Sequence, residues 1–265
     1  MIIGVSGYAK SGKDLTGEII LGLCQGIGPG WQIKKFADKL KEIAALMLGV
    51  PRARFEDQAF KESTLPPEWD YYMVKMKSQA GPLRNRKFST AEEAMAYKEI
   101  FHKEYKWLHE SDLEVIRKQM TVREFLIDLG TNAVRYNLHP DTWVNLLFND
   151  YKLQRLYLTK EEVISRGYIP TEGAVDFMES VPPNWVITDV RFPNEATRIE
   201  KQGGFIIRIN RDGIGPVSTH ESETALDDWK FKYTLHNNSS KEELALKVRR
   251  ILVLEQIIQD RQIAA

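Results

Sequence analysis

The stretch GVSGYAKSGKD, from Gly4 to Asp14, decides how the rest of this sequence is interpreted. Gly7 is followed by four residues and then by Gly12 and Lys13, which is the spacing of a phosphate-binding loop. In such a loop, backbone N–H groups surround phosphate oxygens and the lysine reaches the β- and γ-phosphates. The alternative is a tight strand-to-helix turn that merely contains a lysine. The residues on either side of the loop favour the phosphate site, because a strand pattern precedes it and a helix pattern follows it.

The sequence around the loop predicts an α/β fold. Met1 to Ser6 is a short β-branched run typical of a buried strand, and Asp14 to Gln25 repeats apolar residues at helical spacing. Further strand patterns at Trp31 to Phe36, Asn184 to Val190 and Phe205 to Asn210 alternate with helical ones. Strands that alternate with helices indicate a parallel sheet covered on both faces. We therefore expect a three-layer P-loop NTPase fold with a central parallel sheet flanked by helices.

Two stretches depart from this alternation, and we interpret both as insertions into a single domain over 1–265. The first, about 49–120, contains prolines, charged residues and aromatic residues such as Trp69. The aromatic residues are too apolar for a flexible linker, and a helical pattern follows them. The second, about 151–183, is the least regular part of the chain and is predicted to be a lid-like loop.

Composition limits the classes of partner. Lys plus Arg equals Asp plus Glu at 37 each, so no bulk charge favours a stable complex with nucleic acid. Cys24 is the only cysteine, which excludes an intrachain disulfide and fits a reducing cytoplasm. No stretch approaches the ~20 apolar residues of a membrane span, and the first apolar run leads straight into the loop without a signal peptide. We expect a cytoplasmic protein without a membrane partner; the oligomeric state stays open, with a homodimer as one option.

Asp14 is the unusual residue of the loop. A Ser or Thr at this position normally helps to hold Mg²⁺, and a carboxylate could ligate the ion directly or through water. Asp14 also stands in the first turn of the predicted helix, where a negative charge is favourable without any metal. Thr16, two residues on, is a second candidate for contact with the nucleotide.

The run VITDVRFPNEA, from Val186 to Ala196, provides a second acidic site. Asp189 comes at the carboxyl end of an apolar strand, where open α/β sheets bind ligands and where an acid can hold Mg²⁺ through water. Arg191 follows two residues later. Glu195 is expected either to orient Arg191 or to be a first-turn acid of the next helix.

Other polar and aromatic residues are candidates for substrate contact. A capping pattern predicts a helix from Thr121 to Asn137, in which Arg123 and Arg135, twelve residues apart, lie roughly on one side. Trp143 is a candidate for stacking on a base or for the core. His220 and Glu223, in the run THESE, are candidates for phosphate or substrate contact, with an ordinary loop as the alternative for His220.

These motifs together resemble the bacteriophage deoxynucleoside monophosphate kinases, a P-loop family with the nucleoside-monophosphate-kinase fold. The matching segments occur in order along nearly the whole chain: SGYAKSGKD, FADKLK, VREFLIDLGTNAVR, the Trp143 segment, ITDVRFPNEA, THESE and HNNSSKEEL. The Gly-Lys-Asp ending of the loop is itself a trait of that family.

The resemblance implies transfer of the γ-phosphate of ATP to a deoxynucleoside 5′-monophosphate. It implies that the loop and the first helical turn, from Tyr8 to Thr16, hold the ATP phosphates and Mg²⁺. With Gly7 from the loop motif, the nucleotide-binding candidates are Gly7, Tyr8, Ala9, Lys10, Ser11, Gly12, Lys13, Asp14, Leu15 and Thr16. From their own chemistry and position, Asp14 and Asp189 are the candidate metal ligands. Relatives carry two basic residues where this chain has Ala9-Lys10, so one cation is missing here.

The resemblance also places a set of residues against the acceptor or the transferring phosphoryl group: Phe36, Ala37, Lys41, Arg123, Gly130, Thr131, Trp143, Asp189 and Arg191. From their own patterns we add Arg135, Glu195, His220 and Glu223 as acceptor candidates. Lys13, Arg123, Asp189 and Arg191 are expected to dominate catalysis. The segment 49–120 would bind the acceptor substrate.

The predicted activity is that of a Mg²⁺- and ATP-dependent kinase acting in the cytoplasm, that of the host cell if the chain is phage-encoded. One alternative is a P-loop kinase for another small phosphorylated metabolite. Another is a phage protein that binds nucleotide without turnover.

Overall fold

Strand β1 (Ile2–Ser6) lies in the middle of a parallel sheet and is buried along its whole length. The computed structural model describes residues 1–28, 30–76, 86–105, 109–159, 163–164, 177–217 and 220–259. Within them the sheet has five strands in the order β2-β7-β1-β8-β9, all parallel. The other four strands of the sheet are β2 (Trp31–Lys34), β7 (Asn184–Ile187), β8 (Phe205–Asn210) and β9 (Tyr233–His236). The expected α/β fold with a central parallel sheet is confirmed.

Helices cover both faces of this sheet because successive strand residues point to opposite sides. Ile3 belongs to the cluster under α1 (Lys13–Leu23) and α9 (Lys241–Leu254). Ile2 belongs to the opposite cluster, formed with α6 (Thr142–Phe148) and α7 (Pro193–Lys201). None of the helices in the described residues is both long and apolar enough to traverse a bilayer.

The chain divides into two compact units, Met1–Leu40 with Leu138–Ala265, and Lys41–Asn137. Helix α2 (Phe36–Leu48) begins in the first and ends in the second. The described part of the second unit also contains an antiparallel strand pair and, among its helices, three further α-helices: β3 (Tyr71–Met76), β4 (Leu113–Lys118), α3 (Gln58–Glu62), α4 (Ala91–Glu104) and α5 (Val122–Ile127). The segment 49–120 is therefore mixed in structure, and its role in substrate binding stays a prediction.

The stretch 151–183 contains an antiparallel pair in the first unit. Strand β5 (Gln154–Leu158) pairs with β6 (Phe177–Val181), so the predicted irregular loop includes regular structure at both ends. Residues 160–162 and 165–176 between these strands lie outside the described residues. The lid-like role of this stretch stays a prediction.

The predicted helix from Thr121 to Asn137 is present, but it changes type along its length. Its capping box is present, since the Glu124 N–H donates to Thr121 Oγ1 at 3.1 Å and the Thr121 N–H donates to Glu124 Oε2 at 3.0 Å. After Ile127 the α-helix gives way to a π-helix, Asp128–Tyr136. The wider turn of a π-helix breaks the 3.6-residue spacing. Arg123 is exposed and Arg135 is buried, and whether they share one side of the helix stays a prediction.

Gly17 and Gly22, both in α1, provide a matched test of helix packing. A Cβ on Gly17 would lie 2.3 Å from Cγ2 of the buried Thr188, whereas a Cβ on Gly22 would meet nothing within 4 Å. Gly22→Ala should raise the free energy of unfolding by about 0.5–1 kcal/mol through helix propensity. Gly17→Ala should lower it by about 1 kcal/mol or more, because overlap with Thr188 outweighs the same gain. Denaturant titration of the two variants measures both, and equal stabilisation by both would contradict the close packing.

Candidate active site

The backbone of the loop between β1 and α1 adopts a conformation that few residues other than glycine adopt. Gly12 has φ of 101°, and a Cβ there would lie 2.3 Å from Asn237 Nδ2. Lys10 also has a positive φ, 67°. The Ser11 N–H donates to Tyr8 O at 3.2 Å, and Asn237 Nδ2 donates to Ser11 O at 2.8 Å. The loop therefore closes tightly onto the start of α1 and is fixed from one side by Asn237.

Asp14 collects three polar side chains around its carboxylate. Lys35 Nζ lies 2.9 Å from Oδ1, Lys13 Nζ lies 3.2 Å from Oδ2, and Thr188 Oγ1 donates to Oδ1 at 3.3 Å. Burial opposes ionisation, but the hydrogen bond from Lys35 and the charge of Lys13 outweigh it, so the pKa of Asp14 lies below its ordinary value. Asp14 is thus a half-exposed, ionised carboxylate at the N-terminus of α1.

Thr16, the other loop candidate, faces inward. Its side chain is fully buried, and Oγ1 donates to the Gly12 carbonyl at 3.0 Å. This hydroxyl therefore supports the first turn of α1.

Asp189 follows the end of β7, as predicted, and holds the start of α2. Its Oδ1 accepts the Phe36 N–H and its Oδ2 accepts the Ala37 N–H, each at 2.9 Å. Burial raises the pKa of Asp189 above its ordinary value, although both N–H groups and Arg191 favour the charged form. Asp189, Phe36 and Ala37, all predicted site residues, are therefore hydrogen-bonded to one another. The helix dipole also favours a carboxylate at the N-terminus of α2.

Arg191 lies between two acidic side chains in the first unit. Its Nη1 pairs with Glu223 Oε1 and donates to the Ser222 carbonyl at 3.4 Å. Glu195 is 2% exposed, and its Oε2 accepts the backbone N–H groups of Arg191 at 2.8 Å and Phe192 at 3.1 Å. Glu195 therefore fixes the backbone of Arg191, while Glu223 fixes its guanidinium. Glu195 also lies in the first turn of α7, so both alternatives expected for this residue are present.

In the first unit, His220 caps a short helix and Trp143 is buried. His220 Nδ1 accepts the Ser222 N–H at 3.2 Å and caps the short helix α8 (Glu221–Thr224). Trp143 is 4% exposed near the start of α6. Contact of either residue with a substrate stays a prediction.

The remaining candidates lie in the second unit. Lys41 Nζ lies 2.9 Å from both carboxylate oxygens of Glu56, and burial of that acid is outweighed by Lys41 and Arg52, which lower the pKa of Glu56 to about 2. Arg123 donates to Glu62 Oε1 from Nε at 2.9 Å and from Nη2 at 2.6 Å. The others are buried in the π-helix: Gly130, Thr131 and Arg135. Their roles toward an acceptor stay predictions.

Sequence reasoning missed three polar side chains near the loop. Lys35 and Thr188 follow β2 and β7 directly, so the rule that ligands bind at the carboxyl ends of parallel strands could have identified them. Arg208 is a charged residue inside the apolar strand FIIRIN, and it is 8% exposed. A buried arginine is rare enough to signal a paired, specific role.

No protein-family model matches this chain. A segment of 59 residues, 22% of the chain, is 48% identical to a protein of Acanthamoeba polyphaga mimivirus named "Putative deoxynucleotide monophosphate kinase". The match spans 31% of that protein's length. It supports a relationship to kinases and does not bear on an origin in a bacteriophage.

The pairing of Asp189 with α2 predicts a loss of stability on a minimal change. Asp189→Asn leaves one oxygen acceptor for two partly buried N–H groups, so the free energy of unfolding should fall by about 1–3 kcal/mol. The exposed Asp212→Asn serves as control and should stay within about 0.5 kcal/mol of wild type. Denaturant titration measures both, and a wild-type value for Asp189→Asn would show that the two hydrogen bonds contribute nothing.

Proposed function

We propose that this chain is a kinase that transfers the γ-phosphate of ATP to a deoxynucleoside monophosphate, giving the diphosphate and ADP. The observation that carries the proposal is the glycine loop between β1 and α1, with Lys13 and the ionised Asp14 at its end. The kinase name of the mimivirus protein supports the choice of reaction. The ordered motifs of the sequence support the choice of a deoxynucleoside monophosphate as the acceptor.

The loop and α1 would bind the polyphosphate of ATP. Backbone N–H groups at the start of α1 are not all used within the helix, and the helix dipole adds partial positive charge there. Lys13, 13% exposed at the end of the loop, would neutralise charge on the transferring group. Such positioning and charge stabilisation account for most of the catalysis in phosphoryl transfer.

The residues at Asp14 fit a magnesium ion. Asp14 and Thr188 offer the hard oxygen donors that Mg²⁺ prefers, and they would hold the ion once it displaces the ammonium groups of Lys35 and Lys13 from the Asp14 carboxylate. Bound Mg²⁺ supplies neutralisation of charge on phosphate oxygens. Asp189 is less suited to a direct ligand, because its oxygens accept the backbone N–H groups that begin α2, whereas the lysine side chains on Asp14 can move away without disturbing a helix.

The acceptor needs little acid–base chemistry from the protein. A monophosphate oxygen is already ionised at neutral pH, so no strong general base is required. Arg191, held by Glu195 and Glu223, would stabilise charge on the acceptor or on the transferring group.

A panel of deoxynucleoside monophosphates tests the proposal. ADP release from ATP and Mg²⁺ should accelerate with at least one member of the panel. Lys13→Ala should reduce the transfer rate by about 10²-fold or more, as expected for loss of a charge-stabilising group. The exposed Lys10→Ala, in the same loop, is the matched control and should lose less.

Two results would overturn this assignment. Acceleration by another phosphorylated metabolite, without any deoxynucleoside monophosphate, would identify a different kinase. Nucleotide binding with no turnover on any acceptor would identify a binding protein.

Asp14 is tested separately by the dependence of the rate on Mg²⁺. Asp14→Ser replaces the carboxylate by the hydroxyl usual at this position and releases Lys35 from its ion pair. If Asp14 ligates the ion, the Mg²⁺ concentration for half-maximal rate should shift by about tenfold, the equivalent of about 1.4 kcal/mol. Asp38→Ser, a first-turn acid of α2, is the control. An unchanged Mg²⁺ requirement in Asp14→Ser would exclude Asp14 as an essential ligand.

A further inference from the structure

Arg208 is a buried cation beside the start of the phosphate loop, and the proposed reaction assigns it no part. Its side chain is 10% exposed. The register of β1 and β8 pairs Arg208 with Ser6, the last residue before the loop, and Nη1 donates to Ser6 Oγ at 3.3 Å. Burial of an arginine costs free energy unless its N–H groups are hydrogen-bonded, so these contacts offset the cost of burying Arg208.

Tyr8 and Asp227 contact the guanidinium of Arg208, which also donates from Nε to Asn210 Oδ1 at 3.3 Å. The guanidinium lies 4.6 Å from the centroid of the Tyr8 ring, within cation–π distance. The Tyr8 hydroxyl donates to Asp227 Oδ1 at 2.7 Å, and Arg208 Nη2 donates to the same oxygen at 3.1 Å. The side chains of Ser6 and Tyr8, on either side of Gly7, are thus held by one guanidinium and one carboxylate.

The loop that follows needs such support. Lys10 and Gly12 both have positive φ, a conformation that persists in a non-glycine residue only where the surroundings enforce it. Asn237 holds the far part of the loop through the Ser11 carbonyl. The contacts of Tyr8 hold its near part, so the strained Lys10 lies between two fixed points.

We propose that Arg208, Tyr8 and Asp227 form a positioning network that keeps the phosphate loop in its binding conformation before polyphosphate arrives. The inference rests on the proposed function in taking the loop as the polyphosphate site. A loop ordered in advance loses less entropy on binding, so affinity for polyphosphate depends on the network. Tyr8 then acts as an anchor through its side chain, while its backbone belongs to the loop.

The hydroxyl of Tyr8 is suited to act as the hydrogen-bond donor to Asp227. Burial and the hydrogen bond to Asp227 raise the pKa of Tyr8 above its ordinary value. It therefore stays protonated, and a donor, across neutral pH.

Calorimetric titration with tripolyphosphate tests the network without requiring turnover. Tyr8→Phe keeps the ring over Arg208 and removes the bond to Asp227, and Asp227→Asn keeps the shape and removes the charge. Each should weaken tripolyphosphate binding by about tenfold. The double variant should lose less than the product of the two single losses, because both changes break the same contact. Tyr157→Phe, at a tyrosine that is 67% exposed, is the control and should bind as wild type does.

The outcomes separate this inference from the proposed function. A network that only stabilises the fold would lower the free energy of unfolding in Tyr8→Phe and leave tripolyphosphate affinity unchanged, which would overturn the inference. A kinetic readout sharpens the test, since positioning of the loop predicts a higher KM for ATP with kcat nearly constant. Wild-type protein that binds neither tripolyphosphate nor ATP would overturn the proposed function and this inference together.

Discussion

The hydrogen bonds from the Phe36 and Ala37 N–H groups to Asp189 connect the end of β7 to the start of α2. The rest of the site depends on this connection. Lys35 directly precedes Phe36, and Thr188 directly precedes Asp189, so the same contact fixes where both neighbours reach Asp14. Parallel strands alone would place their ends at one edge of the sheet. The carboxylate of Asp189 determines which side chains meet there.

Charge around the loop is arranged in local pairs, although the whole chain is neutral. Lys13 and Lys35 share Asp14, Arg191 pairs with Glu223, and Arg208 pairs with Asp227. Each cation therefore has a fixed position without a ligand. Because the desolvation of a cation is offset by a nearby acid, such pairs place positive charge close to a phosphate site at tolerable cost.

The sequence was sufficient to predict the parallel sheet, the glycine loop and the place of Asp189, because these depend on local patterns of apolar residues and glycine. It was also sufficient for the link between Arg191 and Glu195, which are four residues apart. It failed to show the π-helix at Asp128–Tyr136, since a change from α- to π-helix is decided by packing and has no periodic signal of its own. It failed at Arg208 for another reason. The partners of that residue, Tyr8 and Asp227, are distant in sequence, so no short window contains the network.

The position of β1 in the sheet affects how the chain folds. This strand, made from residues 2–6, pairs with β7 on one side and β8 on the other, which are made from residues 184–187 and 205–210. During synthesis the central strand must therefore wait until most of the chain has emerged, whereas the unit from Lys41 to Asn137 is continuous and can form earlier. The apolar residues of β1 lack their partner strands in that interval, so this strand stays exposed to solvent until β7 and β8 have been made.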